Sequence, residues 1–331
     1  MGNGYLWLVN SNGVPYRVTA SDKIEHISDA QWKPEPVLDS GKNLRVQQIV
    51  AAPHTAFALD NTGAVFQFVL TSYVTVRQQV EIYSNQRWYP VMGWSSRTLP
   101  TDRASFTNEN GWRKSEELDG FKLKSDGWRW EEPWMVDLDA RKCDKEGWEY
   151  AINFVGAVWK REKSVNSFVR RRKWKRYMRY TGLEKWIKLP TERKNFVELA
   201  IGGFDIFPDH QFLLFALSKG GNLFRRVGIH ASNPDGDYWQ EMPEIEANAE
   251  REELLRISCS AALGTLVVMT WNGRLFLRIG ITRETPLGCL LVLTANTIRS
   301  PCSFRLYRNQ IIMDYFRGCQ AVDEAFRVRK Q

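Results

Sequence analysis

The chain has 331 residues, a formal net charge of +8, 43% hydrophobic residues and 25% charged residues. This balance is typical of a folded protein with one large or two medium domains, and it excludes a disordered or collagen-like chain. The longest apolar runs, at 212–217 and 287–293, are much shorter than the roughly 18 to 20 residues that cross a bilayer, so we expect no membrane-spanning segment.

The cysteines and the N-terminal sequence bear on the compartment. Five cysteines form an odd, scattered set without a C-x-x-C pair, and the first residues have no secretory signal pattern. Both features are typical of proteins of the reducing cytosol. The sequence therefore predicts a cytoplasmic protein.

The positive charge and the tryptophans are concentrated in one part of the chain. Residues 160–188 carry twelve basic side chains against two acidic ones, a local charge of +10. Ten of the fourteen tryptophans lie within residues 82–190. This segment therefore differs in composition from the rest of the chain.

In chain order, the first predicted elements are two β-hairpins, in LWLVNSNGVPYRV around Gly13 and in FALDNTGAVFQFV around Gly63. Each phrase has an alternating apolar run, a short polar turn that ends in glycine, and a second apolar run. Glycine supplies the positive φ angle that a tight hairpin turn requires. Because the two glycines are fifty residues apart, the hairpins are copies of one repeat.

The same phrase returns twice after residue 190. Residues 215–236 align with residues 267–288 at an offset of 52, with Gly221 matching Gly273. A hairpin every fifty or so residues, with a further strand-like run between copies, predicts one four-stranded propeller blade per repeat. A β-sandwich with accidental internal similarity is the alternative.

Specific phrases connect both parts of the chain to known families. The blade phrase resembles a tectonin β-propeller repeat, in F-x-R-x-G-I at 224–229 and N-P-x-G-x-x-W at 233–239. Four phrases between the second and third copies resemble a dysferlin domain: EIYSNQRWYPVMGWSSRTLPTDR (81–103), DGWRWEEPWMVD (126–137), EGWEYAINF (146–154) and FVRRRKWKRYMRY (168–180). The chain thus resembles the family of tectonin β-propeller repeat-containing proteins from residue 1 to about residue 288.

This resemblance implies an all-β fold, a partial tectonin β-propeller of about four blades with an inserted β-rich dysferlin domain. We expect propeller repeats 1 and 2 at 1–80, both halves of the dysferlin domain at 81–190, and propeller repeats 3 and 4 at 195–288. Residues 289–331 carry no blade phrase, so we predict a poorly packed or disordered tail there. A truncated array would expose the edges of its terminal blades, and pairing with other propeller repeats or self-association through those edges is expected.

The tryptophans and arginines of the inserted segment predict a stacked framework. In VRRRKWKR, read as a strand, alternate side chains share a face, and a guanidinium group stacks well on an indole ring. Dysferlin domains are held together in this manner, and the resemblance assigns the framework to eight residues: Trp88, Trp128, Trp130, Trp134, Trp148, Arg170, Arg172 and Trp174.

The loop at 155–167 is the predicted lipid-binding site. It places apolar residues beside cations, which suits a contact with a membrane surface, and its candidate residues are Trp159, Lys160, Arg161, Lys163, Val165 and Asn166. The family has a wedge tryptophan shortly before the basic phrase, where this chain has Val165. Trp159 is the aromatic residue that can replace it. A solvated basic loop without a ligand is the alternative.

The resemblance also implies a function. It implies a non-enzymatic protein of autophagy and of the damaged-lysosome response, which tethers membranes from a peripheral position on lysosomes or autophagosomes. The dysferlin domain is expected to contact sphingomyelin-containing membrane, and the propeller to act as an interaction scaffold. Autophagy proteins are expected as partners only in a longer form of the chain.

Other function classes have weaker support. The four histidines have no metal-ligand spacing, and no nucleophile elbow, P-loop or dinucleotide fingerprint occurs, so no catalytic residue, metal or cofactor is predicted. Basic and aromatic residues together also suit nucleic acid, but the W-x-W and G-W phrases favour framework stacking, and no nucleic-acid partner is predicted. Because tectonin repeats also occur in lectins, a lectin-like, carbohydrate-binding propeller stays open as an alternative function.

Overall fold

The computed structural model describes residues 5–19, 30–39, 42–70, 76–97, 99–139, 141–192, 194–204, 212–247, 250–251, 253–260, 265–279, 289–293, 303–307 and 310–314. Regular structure in these ranges is almost entirely strand, and a 3-10 turn at Leu118–Gly120 is the one helical element among them. The chain divides into two compact units. The propeller unit is Met1–Val74 with Gly182–Gln331, and the inserted unit is Thr75–Thr181.

The first part of the propeller unit has eight strands: β1 (Tyr5–Val9), β2 (Pro15–Thr19), β3 (Lys33–Pro34), β4 (Leu38–Asp39), β5 (Lys42–Asn43), β6 (Val46–Ala52), β7 (Thr55–Asp60) and β8 (Val65–Val69). Strands β1 to β3 form an antiparallel sheet in that order, and β4 pairs with β5. Strands β6, β7 and β8 are antiparallel neighbours in the sheet that contains the second predicted hairpin.

The inserted unit is a single sheet of eight strands: β9 (Arg77–Tyr89), β10 (Gly93–Ser95), β11 (Phe106–Thr107), β12 (Lys114–Ser115), β13 (Trp128–Trp130), β14 (Met135–Val136), β15 (Trp148–Ala151) and β16 (Val169–Tyr180). The two long strands, β9 and β16, are antiparallel neighbours at its centre. Strands β10 and β11 pair with β9, and β13, β14 and β15 pair with β16.

The remaining strands return to the propeller unit: β17 (Trp186–Lys188), β18 (Phe196–Gly202), β19 (Leu213–Ser218), β20 (Leu223–Val227), β21 (Tyr238–Glu241), β22 (Glu246–Ala247), β23 (Glu250–Arg251), β24 (Leu254–Cys259), β25 (Leu266–Thr270), β26 (Leu275–Ile279), β27 (Cys289–Leu293), β28 (Ser303–Tyr307) and β29 (Gln310–Asp314). They complete three four-stranded antiparallel sheets, in the orders β17-β8-β7-β6, β18-β19-β20-β21 and β24-β25-β26-β27.

The four predicted hairpins are β1-β2, β7-β8, β19-β20 and β25-β26. The turn glycines have positive φ angles, 78° at Gly13, 82° at Gly63, 74° at Gly221 and 74° at Gly273. At Gly63 a Cβ would also lie 2.8 Å from the backbone nitrogen of Phe196, so the next sheet leaves no space for a side chain. The predicted all-β partial propeller of about four blades, with a β-rich insertion, is therefore confirmed.

The core of the propeller unit lies between successive sheets and is aliphatic and aromatic. Phe57, Leu199, Leu214 and Phe224 pack together, each at most 4% exposed. Strands β7 and β19 carry hydrophobic side chains on both faces, and residues of a neighbouring sheet pack against each face.

A repeated polar contact joins neighbouring sheets of the propeller unit. The Gln48 side-chain amide of β6 donates to the carbonyl oxygen of Leu199 at 2.9 Å and accepts from its N–H at 2.7 Å. One sheet further on, the Glu198 carboxyl group accepts from the N–H of Ile257 at 2.8 Å. Burial raises the pKa of Glu198 to about 7, although the Ile257 N–H and Arg256 favour the charged form.

Two boundaries differ from those expected at 81–190 and 289–331. Strand β9 already begins at Arg77, and β17 pairs with β8, so Trp186 belongs to the propeller unit, where it contacts Trp7 and Phe68. Within the expected tail, β27 is the fourth strand of the last four-stranded sheet, and β28 pairs with β29. The rest of the expected tail lies outside the described residues.

Candidate functional site

The basic strand β16 is the axis of the inserted unit. It pairs along one edge with β9, from Val169 opposite Arg87 to Arg179 opposite Arg77, and along the other edge with β15, β14 and β13. Because successive side chains of a strand point to opposite faces, the basic residues and Trp174 separate into two sets. We call them the aromatic face (Arg170, Arg172, Trp174 and Arg176) and the ionic face (Arg171, Lys173, Lys175 and Arg179).

On the aromatic face, guanidinium groups lie against indole rings. The guanidinium carbon of Arg170 is 3.8 Å from the ring centroid of Trp148 and 4.8 Å from that of Trp94. The Arg172 guanidinium carbon is 4.5 Å from Trp148 and 4.8 Å from Trp174. Burial lowers the pKa of both arginines, but the guanidinium group is so strongly basic that both keep their charge at neutral pH.

The stack continues toward the other end of β16. The Arg176 guanidinium carbon is 4.4 Å from the ring of Trp130 and 5.8 Å from that of Trp134. The Trp134 side chain in turn packs with Ile82 and Phe121. The stacked cations are therefore continuous with a small apolar cluster.

The last two predicted framework tryptophans lie at opposite ends of β16. Trp128 is fully buried, with its ring 5.3 Å from that of Tyr180 in an edge-to-face contact. The N–H of Trp88 donates to the carbonyl oxygen of Phe168 at 2.9 Å, beside the first residue of β16. Sequence reasoning missed Trp94 as a stacking partner, although its G-W phrase gave a signal.

Acidic side chains face the cations of the ionic face. Arg171 pairs with Glu149 at 2.8 Å, and its guanidinium carbon lies 4.3 Å from each of the rings of Tyr83 and Trp159. Farther along, Arg179 pairs with Glu131. The partners come from β15 and from the segment after β13, which flank β16.

Two lysines share the middle of the ionic face. Lys173 pairs with Glu81 at 2.8 Å and Asp137 at 3.4 Å, and Lys175 pairs with Asp137 at 2.8 Å. The hydrogen bond from Lys175 lowers the pKa of Asp137. Burial is the largest single influence on Lys173 and lowers its pKa, but the hydrogen bonds to Glu81 and Asp137 and the attraction of Glu81 together outweigh burial, so the pKa is raised. Much of the local charge of +10 is therefore neutralised within the sheet.

The loop between β15 and β16 holds Trp159 against the sheet. The Trp159 ring is 6.2 Å from that of Phe154, and it packs on a cluster that includes Ala151 and Val169. Next to it, Lys160 forms two backbone hydrogen bonds of 2.8 Å with Tyr150. Trp159, the residue expected to replace the family's wedge tryptophan, is thus half-buried, and the Arg171 guanidinium group lies against its ring.

The remaining predicted lipid-binding residues are exposed in the same loop: Lys160, Arg161, Lys163, Val165 and Asn166. Val165 is 94% exposed at the tip of a turn. A hydrogen bond of 3.0 Å closes this turn, from the Ser167 N–H to the Ser164 carbonyl oxygen. The Lys163 ammonium lies 5.7 Å from the ring of Trp94. The loop therefore presents an aliphatic side chain beside cations on a fixed support.

Two features of the described residues bear on the kind of site. Within that part of the chain, no helix is long and apolar enough to cross a membrane. Among the same residues, no group of three or more His, Cys, Asp and Glu side chains is arranged to hold a metal ion.

The sheets and the insertion define a β-propeller-repeat protein that carries an inserted all-β unit. A family model described as "Propeller" matches residues 213–242, which include β19 to β21. A second model, described as "Integral peroxisomal membrane peroxin", matches residues 39–176, which include nearly all of the inserted unit. Together these matches support a membrane-associated propeller protein with a dysferlin-like domain.

The chain is similar to tectonin beta-propeller repeat-containing protein 1 of Mus musculus, at 32% identity over 272 residues that cover 78% of this chain and 21% of that protein. It is also similar to tectonin beta-propeller repeat-containing protein of Drosophila melanogaster, at 32% identity over 253 residues that cover 73% of this chain and 18% of that protein. The predicted resemblance is therefore confirmed. The chain spans about a fifth of the length of these curated relatives. Both relatives are named for their propeller repeats, and such repeats are typical of scaffold proteins.

Proposed function

We propose that this protein is a non-enzymatic, peripheral membrane-binding and tethering protein of the autophagy and damaged-lysosome response. The inserted unit contacts sphingomyelin-containing membrane on lysosomes or autophagosomes, and the propeller unit acts as an interaction scaffold. The protein partners of this scaffold are autophagy proteins that bind in a longer form of the chain.

One observation carries the proposal: Val165 is 94% exposed in a loop whose exposed cations are Lys160, Arg161 and Lys163. An apolar side chain at such a tip can enter the headgroup layer, while lysine and arginine remain at the level of the lipid phosphates. The turn hydrogen bonds and the packing of Trp159 hold the loop in one shape, so little conformational entropy is lost on contact.

The cations of β16 are poor candidates for this contact. Their guanidinium and ammonium groups already have indole or carboxylate partners within the sheet, as for Arg172 with Trp148 and Arg171 with Glu149. Contact with a membrane would have to replace these interactions. The loop cations are exposed and cost less to bring to a lipid surface.

Flotation of the full chain with two vesicle populations tests the proposal. The populations have equal anionic lipid and differ only in whether sphingomyelin or phosphatidylcholine is the zwitterionic lipid. We expect more protein to float with the sphingomyelin vesicles. Equal flotation would contradict the lipid specificity, and no flotation with either population would contradict the membrane contact.

Matched variants locate the contact within the inserted unit. Val165→Glu places a charge at the exposed tip and is expected to reduce flotation strongly. Leu138→Glu is the control, because Leu138 is also exposed, at 61%, and lies in the loop after β14. Equal losses in the two variants would assign the binding to general charge rather than to the loop.

A further inference from the structure

Exposed apolar side chains are concentrated at one end of the inserted unit. Fifteen large apolar residues are exposed among the residues that the structure describes, and seven of them lie in two loops: Val91, Met92, Ile152, Val155, Val158, Val165 and Phe168. Val91 is 97% exposed and Met92 is 57% exposed. Scattered single exposures are ordinary, but such a concentration indicates an interaction surface.

The two loops are neighbours on the sheet. Val91 and Met92 lie in the turn between β9 and β10, and the other five residues lie in or beside the loop between β15 and β16. The Trp88 N–H donates to the Phe168 carbonyl oxygen at 2.9 Å, which joins the end of β9 to the start of β16. The Lys163 ammonium is 5.7 Å from the Trp94 ring, which joins the second loop to β10.

The chemistry of this end fits a lipid surface. Its aliphatic side chains are on loop tips, with Val91, Val155 and Val165 between 79% and 97% exposed. The exposed ionic residues of the β15–β16 loop are three cations and Glu162. Protein interfaces are instead enriched in aromatic side chains and depleted of lysine. Two tryptophans of this end, Trp94 and Trp159, have arginine guanidinium groups against their rings.

We propose that the β9–β10 turn is a second membrane-insertion loop, and that Val91 and Met92 enter the headgroup layer of a bilayer together with Val165. This inference rests on the proposed function and extends the contact to residues that the sequence did not single out. Two loops anchored on one sheet fix the orientation of the unit on the membrane, and the second insertion costs less because the first has already immobilised the protein.

The test uses the full chain and the sphingomyelin vesicles described above. Replacing both Val91→Glu and Met92→Glu is expected to weaken vesicle binding by about tenfold or more, because buried aliphatic area is lost and a charge must be buried. Val91→Trp is expected to strengthen binding, since a larger apolar side chain enters the same layer. Both positions are exposed, so the fold has no reason to change.

The outcomes separate the inference from the proposed function. Loss of binding in the Val91 and Met92 variant, with normal binding of the Leu138→Glu control, supports the second loop. Normal binding of that variant, with loss in Val165→Glu, overturns the second loop and leaves the proposed function standing. Absence of binding by the unaltered chain overturns both.

Discussion

The two units of this chain are stabilised by different side chains. In the propeller unit, phenylalanine, leucine and valine fill the space between sheets, and residues such as Phe57, Phe215 and Phe276 are fully buried. In the inserted unit, the central strand carries arginines and lysines that stack on indole rings or pair with carboxylates. A high basic charge therefore describes the internal framework of one unit more than it describes a binding surface.

This contrast has an energetic side. Aliphatic and aromatic burial is not screened by salt and involves no titrating group, whereas the strength of ion pairs falls with salt and depends on pH. A guanidinium stacked on indole lies between these cases, because it gains contact area as well as electrostatic attraction. Substitutions in the two units should therefore change the free energy of unfolding by different amounts, and these changes should differ in their dependence on salt.

The largest effect is expected in the propeller core. Phe57→Ala removes a fully buried ring that lies 5.8 Å from the ring of Phe212, and should lower the free energy of unfolding by about 3–5 kcal/mol. Hydrogen exchange of β7 measures this loss in the propeller unit. Trp271→Ala, at a position 65% exposed, is the control and should change the exchange little. A loss that disappears in high salt would contradict an apolar core.

Glu198 makes the propeller unit sensitive to pH. Its folded pKa of about 7 lies above the ordinary value of 4.5, so the folded state holds an extra proton between these values. The stabilisation of the folded state by this proton is complete below about pH 4.5 and is lost as the pH rises through about 7. The free energy of unfolding then falls by an amount on the order of 3 kcal/mol. Urea unfolding at pH 5 and pH 8 measures it.

Glu198→Gln is the decisive variant for this pH dependence. Its amide cannot ionise, and it has the same groups as Gln48, which bonds both the N–H and the carbonyl oxygen of Leu199. We expect the variant to be more stable than the unaltered chain at pH 8 and to lose less stability between pH 5 and pH 8. An unchanged pH dependence would assign the titration to another group.

An intermediate effect is expected for the stacked arginine. Arg170→Lys keeps the charge but removes the planar group between Trp148 and Trp94, and should destabilise the inserted unit by about 1–2 kcal/mol. Tryptophan fluorescence during urea unfolding is a suitable measurement, because nine of the fourteen tryptophans lie in this unit. Arg141→Lys, at a side chain 90% exposed, is the control. Equal stability of the two variants would show that charge alone matters at Arg170.

The smallest effect is expected on the ionic face. Lys173→Met breaks the pairs with Glu81 and Asp137 at the partly exposed surface of the sheet, and should cost about 0.5–1 kcal/mol at low salt. The same fluorescence measurement at high salt should show a smaller cost, because screening already weakens the pairs in the unaltered chain. A cost that is equal at both salt concentrations would indicate lost packing of the lysine stem instead.

Local patterns made part of this structure predictable. The hairpins follow from alternating apolar runs around glycines such as Gly13 and Gly63, and the two faces of β16 follow from its alternation. Both signals lie within about a dozen consecutive residues, where the geometry of the strand determines the outcome.

The rest depended on contacts between distant residues. Asp137 and Glu81 meet Lys173 although they are 36 and 92 residues away along the chain, and no local pattern assigns such pairs. The half-buried position of Trp159 depends on Phe154 and on Arg171, which stand on either side of it in sequence. Val91 and Met92 form an ordinary-looking apolar pair, and their exposure becomes evident only when the β9–β10 turn is seen.

The central proposal is that the cations of the β15–β16 loop contact the membrane, whereas the basic residues of β16 stabilise the fold. Vesicle binding of two double variants tests it most directly: Lys160→Gln with Arg161→Gln, and Arg141→Gln with Lys142→Gln, which remove equal charge from exposed positions of the same unit. We predict that the first variant binds vesicles with anionic lipid roughly tenfold more weakly and that the second binds normally. Equal weakening of both variants would contradict the claim.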